Sequence, residues 1–192
     1  MRRAGGACAL AAALLTGTLA APGASPPDKL EPCLACHGAE GQSEIENVPS
    51  LGAQPSKYTL IQLFMFREGL RSVEPMTELT KSWSDADLQN AADSIAALPP
   101  PKPPSDPPDS ARLERARALV ELNHCNVCHR SDFSGQENVP RLAGQREDYL
   151  LKALREYKSG ARHGYEPTMT EVLQPIDDAQ LVEFAYYLSR LP

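Results

Sequence analysis

The chain has 192 residues, of which 19 are basic and 25 are acidic, so its formal net charge is −6. This length predicts one domain or two small ones. Because the chain is negatively charged and has no stripe of basic residues, most classes of nucleic-acid-binding protein are excluded. No pair of carboxylates, nucleophile triad or phosphate-binding loop stands out, so we predict no catalytic residues.

The first 24 residues have the parts of a secretory signal peptide. Arg2 and Arg3 form a positive start, and residues 7–21 form an apolar stretch. Small residues near Ala20 predict cleavage at that point. A retained membrane anchor is a less favoured alternative, because about 20 apolar residues are needed to span a bilayer. Cleavage would leave 19 − 2 = 17 basic residues against 25 acidic ones, a net charge of −8.

The sequence Cys-x-x-Cys-His occurs twice, at 33–37 and 125–129. Thiols three positions apart project from one turn of backbone, so both can add to the vinyl groups of one porphyrin. The histidine that follows is then held as a ligand of the iron. The motifs therefore predict two covalently bound haem c groups, attached through Cys33, Cys36, Cys125 and Cys128 and ligated by His37 and His129. A zinc or dithiol-redox protein is a remote alternative, since neither function explains the two histidines.

Other short motifs recur at an offset of 91 to 93 residues. The recurring pairs include Pro49 with Pro140, Gln54 with Gln145, Tyr58 with Tyr149, and Arg71 with Arg162. Such a repeat indicates tandem duplication of one small domain. We predict domains over 25–98 and 110–192, joined by a linker over 99–109. Seven of the ten residues in 99–108 are proline, which favours a stiff, extended strap. A disordered spacer is the alternative.

Each domain is predicted to be helical, because no run of alternating strand character is present. The middle helices are expected over 56–67 and 147–158, with Gly69 and Gly160 at their C-terminal caps. Capping patterns predict where the last helices begin, at Ser84 with Asp87 and at Asp177 with Gln180.

The two copies differ ahead of the first cysteine of each motif. Ser110 is expected to cap a helix that leads to Cys125, with apolar positions such as Leu113 and Leu119. Prolines 26, 27 and 32 leave little room for an equivalent helix before Cys33. We therefore expect the first domain to be the less stable half.

The sixth ligand of each iron is predicted to be a methionine. Met76 lies 39 residues after His37, and Met169 lies 40 residues after His129. Both occur in similar Pro-Met-Thr-Glu contexts, and a pair of histidine and methionine ligands raises the reduction potential. Packing in the core is the alternative role.

Three further side chains are weighed as ligands and set aside. Met65 lies within a predicted helix and is expected to be core. His124 is next to Cys125 and is expected to be solvated. His163 could displace Met169, but the first copy has Ser72 at the equivalent position.

The two Cys-x-x-Cys-His motifs, the stretch 142–149 and the two late methionines resemble a dihaem cytochrome c of the cytochrome c4 type. The resemblance extends from about Asp28 to Pro192. It implies an all-α fold of two tandem class I cytochrome c domains, each wrapped round a covalent haem. It also implies secretion to the periplasm and electron transfer in a respiratory chain, with iron cycling between Fe(II) and Fe(III).

The resemblance also implies roles around the haem. The carbonyl groups of Pro49 and Pro140 would accept hydrogen bonds from the proximal histidines, with a purely structural turn as the alternative. Arg71 and Arg162 are candidates to approach the haem propionates, although we favour solvated arginines. Arg130 departs from the pattern, because most relatives have glycine directly after the motif. Trp83 is expected to lie in the core.

The leading functional interpretation is a soluble electron carrier rather than an enzyme. Its partners would be redox proteins: a membrane cytochrome complex, a terminal oxidase or a periplasmic dehydrogenase, with membrane association only through them. The alternative is a cytochrome subunit of a periplasmic oxidoreductase complex, for example with a flavoprotein dehydrogenase. A dihaem peroxidase is a third interpretation, and it requires an open iron.

Overall fold

The computed structural model of the chain describes Met1 and residues 30–163 and 167–192. The predicted cleavage site, Pro26 and Pro27 lie outside these residues. In this part of the chain the regular structure is helical, apart from an isolated bridge between Gln136 and Val139. None of these helices combines the length and apolar character needed to cross a membrane. The helices are α1 Glu31–His37, α2 Ser56–Arg67, α3 Met76–Thr80, α4 Asp85–Ala96, α5 Ser110–Leu122, α6 Cys125–His129, α7 Glu147–Ser159, α8 Thr168–Leu173 and α9 Asp178–Ser189.

The middle and last helices of both domains agree with the sequence prediction. Helix α2 has the predicted bounds, and α7 ends one residue later than predicted. Both predicted capping boxes form, Ser84 with Asp87 and Asp177 with Gln180. Gly160 caps α7 in the left-handed conformation with φ +75°. Gly69 directly follows Glu68, the C-terminal cap of α2, and has the left-handed conformation expected of a glycine there, with φ +69°.

The start of α5 differs from the prediction. Asp109, rather than Ser110, is the N-terminal cap, and its carboxylate accepts a hydrogen bond of 3.0 Å from the Arg112 N–H. A carboxylate at this position also faces the positive end of the helix dipole, which a serine hydroxyl cannot match. The Asp109 N–H donates to the Tyr186 hydroxyl on α9 at 2.9 Å, which fixes the end of the linker.

The helices pack within their own domain, and the contacts between the two domains join loop residues to one another and to residues of α2 and α7. In the first domain α2 packs against α3 and α4, whereas in the second α9 packs against α5 and α7. The first buried cluster consists of Leu30, Cys33, Leu63, Trp83, Leu88, Ala91 and Ile95. The second consists of Val120, Phe133, Ala143, Leu150, Leu154, Leu173, Ile176, Leu181, Phe184, Ala185 and Leu188. Helix α5, which contributes Val120, has no counterpart among the described residues of the first domain.

We expect the first domain to lose its structure before the second on heating. Its described residues bury a smaller apolar cluster, and burial of apolar surface is the main favourable term in folding. The measurement is a thermal melt followed through the resolved haem methyl NMR signals of each domain. Loss of both sets of signals at the same temperature would contradict this expectation.

The proline-rich linker lies against both domains. The Lys102 N–H and carbonyl group form hydrogen bonds of 3.2 and 3.1 Å with the side-chain amide of Gln42. A β-carbon on Gly52 would lie 2.1 Å from the Pro99 oxygen, and one on Gly144 would lie 2.4 Å from the Pro101 oxygen. The strap therefore passes close to the backbone of each half.

Substitution of Gly52 by alanine should destabilise the protein by about 3 kcal/mol, the upper end of the usual cost of overpacking. The new methyl group would collide with backbone atoms of the strap, which cannot move aside as a flexible side chain can. Gly69→Ala is the matched control, because nothing lies within 4 Å of the place that its β-carbon would take. That variant should lose only about 1 kcal/mol through its left-handed backbone. If urea unfolding shows that both variants lose the same free energy of unfolding, Gly52 does not lie close to the strap.

Candidate haem sites

The two Cys-x-x-Cys-His motifs form short helices of the same kind. Cys33 is buried and Cys125 half-buried, whereas Cys36 and Cys128 are exposed. Burial raises the pKa of the Cys33 and Cys125 thiols. In each motif one thiol therefore faces the core and the other faces outward from the same turn. Arg130 follows the second motif with φ +68°, a strained conformation for a residue other than glycine.

Both motif histidines donate a hydrogen bond to a proline carbonyl group. The distance from His37 Nδ1 to the Pro49 oxygen is 2.7 Å, and from His129 Nδ1 to the Pro140 oxygen it is 2.9 Å. A carbonyl oxygen can only accept, so the proton lies on Nδ1 and the lone pair on Nε2. Burial lowers the pKa of both histidines, which favours the neutral ring that a metal requires.

The two predicted methionine ligands occupy equivalent places. Met76 is the first residue of α3, and Met169 is the second residue of α8. Each is partly buried against the apolar cluster that also contains or contacts Cys33 or Cys125. Met65 is 4% exposed on α2, as expected for a core residue. The side chains of His124 and His163 are exposed.

Arg162 is buried at the interface between the domains, so our preference for a solvated arginine was wrong at this position. It is only 5% exposed. Its two terminal nitrogens donate to the hydroxyl groups of Tyr149 and Tyr58, at 3.1 and 3.2 Å. Arg71, its counterpart, is half-buried, donates to Gln62 at 2.7 Å and covers the ring of Phe66.

The two tyrosines that contact Arg162 differ in pKa. Burial alone would raise the pKa of Tyr149, but the positive charges of Arg162 and Arg71 outweigh it and lower that pKa to about 8. Burial dominates at Tyr58 and raises its pKa to about 12, despite the same guanidinium. The repeat identifies Tyr58 and Tyr149 as equivalent residues. Their shared contact with Arg162 depends on how the domains dock.

These residues fit a covalently bound haem in each domain. The histidines hold a lone pair in a buried, neutral ring, and thioether and thiol groups border the same apolar clusters. Arg162 Nε is buried and has no hydrogen-bond partner among the described residues. A buried charged donor of this kind requires an acceptor, and a carboxylate such as a haem propionate provides one.

Comparison with known proteins agrees with this geometry. The cytochrome c family profile matches residues 113–192. The chain is 30% identical to cytochrome c4 of Pseudomonas aeruginosa, over 83% of this chain and 83% of that protein. The chain belongs to the cytochrome c4 family. It is therefore a dihaem electron-transfer protein with two covalently bound haem c groups, built from two tandem class I cytochrome c domains.

Further comparisons extend this assignment. The crystal structure of reduced cytochrome c4 from Pseudomonas stutzeri aligns with a TM-score of 0.77 at 27% identity, covering 85% of this chain and 95% of that one. The thiosulfate dehydrogenase electron acceptor of Thiomonas intermedia is 31% identical, over 88% of this chain and 82% of that protein. Members of the family are electron carriers rather than enzymes.

Proposed function

We propose that each domain holds its haem through one complete set of ligands from its own half of the chain. In the first domain (25–98), Cys33 and Cys36 attach the porphyrin, and His37 and Met76 ligate the iron. In the second (110–192), Cys125 and Cys128 attach it, with His129 and Met169 as ligands. The hydrogen bonds from the two histidines to Pro49 and Pro140 are the observation that carries this assignment. Such bonds fix the ring orientation and raise the basicity of the ligand.

With both axial positions filled by the protein, the chain supplies insulation, potential and a docking surface rather than catalytic groups. The haem groups provide one-electron redox chemistry when bound. The buried clusters around Cys33 and Cys125 exclude water, and the methionines favour the ferrous state. The linker over 99–109 holds the two domains at a fixed spacing.

The surface charge favours docking through the first domain. Residues 25–98 contain 5 basic and 11 acidic residues, so 5 − 11 = −6, whereas residues 110–192 contain 11 and 12, so 11 − 12 = −1. A partner with a basic patch would therefore be steered to the first domain, and added salt would slow the encounter. We place the mature protein in the periplasm, after cleavage near Ala20. A membrane cytochrome complex, a terminal oxidase and a periplasmic dehydrogenase are the proposed partners.

A second function is favoured by the relative from Thiomonas intermedia, whose name describes an electron acceptor for thiosulfate dehydrogenase. In this role the chain would accept electrons from a dehydrogenase partner in a lasting complex. Purification of the native protein distinguishes the two functions. A co-eluting dehydrogenase subunit favours the complex, whereas a free dihaem protein favours the mobile carrier.

The test of the proposed ligation is a visible spectrum of the reduced protein with and without carbon monoxide, together with the haem content per chain. We expect two haems per chain and no spectral change with carbon monoxide at native pH, since both irons would be six-coordinate. Binding of carbon monoxide to the unmodified protein would show an open iron and overturn the assignment of the methionines.

A further inference from the structure

A single peptide group connects the proximal histidine of the first domain to a side chain of the second. The oxygen of the Pro49–Ser50 peptide group accepts from His37 Nδ1 at 2.7 Å. The N–H of the same peptide group donates to Gln145 Oε1 at 2.8 Å. Gln145 lies in the other domain, 95 positions along the chain from Ser50.

The same arrangement exists in the opposite direction. The oxygen of the Pro140–Arg141 peptide group accepts from His129, and its N–H donates to Gln54 Oε1 at 3.0 Å. Each glutamine also returns a hydrogen bond from Nε2 to the carbonyl oxygen of the residue it contacts, at 2.8 Å for Gln145 and 2.9 Å for Gln54. Duplication has therefore produced two matched contacts across the domain interface.

These contacts are shielded from water. Ser50 is 2% exposed, Gln145 is 4% exposed and Gln54 is 5% exposed. In such a low-dielectric setting, successive hydrogen bonds polarise one another. An N–H that donates to an amide oxygen makes the carbonyl oxygen of its own peptide group more negative. That oxygen is then the stronger acceptor for the histidine Nδ1–H.

We infer that each glutamine is a positioning residue for the iron ligand of the opposite domain, Gln145 for His37 and Gln54 for His129. This inference rests on the proposed ligation by the two histidines. A stronger bond to Nδ1–H makes the imidazole a richer electron donor, which favours ferric iron and lowers the potential. Docking of the domains therefore adjusts both haem potentials, each from the other side of the interface.

Two other interdomain contacts among the described residues lack this connection. The Asn47 N–H donates to Asp148 Oδ2 at 3.0 Å, and the Tyr58 N–H donates to the Glu137 oxygen at 3.0 Å. Neither involves a peptide group that accepts from a motif histidine. A glutamine that served only to hold the domains together would act as these contacts do, with no preference for the haem across the interface.

The test compares Gln145→Met with Gln54→Met in the haem-loaded protein. Methionine has a similar length, and its thioether sulfur is a much weaker acceptor for the peptide N–H than an amide oxygen. Gln145→Met should raise the reduction potential of the first haem. The equilibrium constant for reduction of that haem should rise about two- to fivefold, with a smaller change at the second haem. A tenfold change corresponds to about 59 mV for a one-electron couple. Gln54→Met should give the reverse pattern.

Two measurements distinguish a specific change in one haem potential from a general loosening of the domain interface. Spectroelectrochemical titration gives the two potentials, which the single variants Met76→Ala and Met169→Ala assign to their domains. In the reduced protein, the NMR signal of the His37 Nδ1–H should move upfield in Gln145→Met, as its hydrogen bond weakens. Asp148→Ala is the matched control, because it removes an interdomain bond without touching either proline peptide group.

Equal shifts of both potentials in Gln145→Met, or the same shifts in Asp148→Ala, would overturn the inference. If Gln145→Met fails to fold, Gln145→Glu decides the matter, since its carboxylate remains an acceptor for the Ser50 N–H. That variant should lower the first potential and move the His37 signal downfield, and no movement of that signal would refute the connection. A spectrum of the unmodified protein without six-coordinate haem would instead contradict the proposed ligation.

Discussion

Replacement of Met169 by alanine should open the second haem iron to carbon monoxide and lower its potential by about 0.2 V, a fraction of the ~0.8 V range that axial ligands control. The thioether stabilises ferrous iron, and alanine leaves the position to water or an external ligand. Met76→Ala should do the same at the first haem. Each variant should change one of the two haems, because each methionine packs against the cluster of its own domain.

Met65→Leu provides the control for these variants. Met65 is also buried, but it lies on α2 and its change to leucine conserves volume, so it should cost less than about 1.5 kcal/mol. Both haems should then keep their potentials and exclude carbon monoxide. If Met169→Ala leaves the second haem closed to carbon monoxide, another side chain is the ligand, and His163 is the first to test.

Local signals in the sequence were sufficient for the helices that surround each site. The bounds of α2 and the capping boxes at Ser84 and Asp177 depend on neighbouring residues, and the structure has them as predicted. The cap of α5 was wrong because Asp109 and Ser110 are both good capping residues. The Tyr186 hydroxyl group, which is far away in sequence, also accepts from the Asp109 N–H, and a local pattern does not contain this contact.

The domain interface could not be predicted in the same way. The repeat showed that Gln54 corresponds to Gln145 and that Arg71 corresponds to Arg162, but equivalence does not imply contact. Arg162 is buried because two tyrosines from different domains meet it, while Arg71 remains half-buried. This difference between equivalent residues arises from docking, which no local pattern contains.

Replacement of all four motif cysteines by serine should leave a protein with little native helix at 25 °C. Each domain is too small to bury enough apolar surface without additional support. Helices α3 and α8 have 5 and 6 residues, far below the length at which an isolated helix is stable. Far-UV circular dichroism of the haem-free variant gives the helix content, and native content would contradict the expectation.

Two further variants, each lacking the cysteines of one motif, show which domain needs its haem in order to fold. Cys33→Ser with Cys36→Ser should unfold the first domain and leave the second largely intact, because the second has the larger buried cluster. Cys125→Ser with Cys128→Ser should unfold both, since the first domain would lose the contacts that Gln145 makes with Ser50. The haem-bound half is followed by its visible circular dichroism during urea unfolding. If the first haem has the same urea midpoint in Cys125→Ser with Cys128→Ser as in the unmodified protein, the first domain does not depend on the second for its stability.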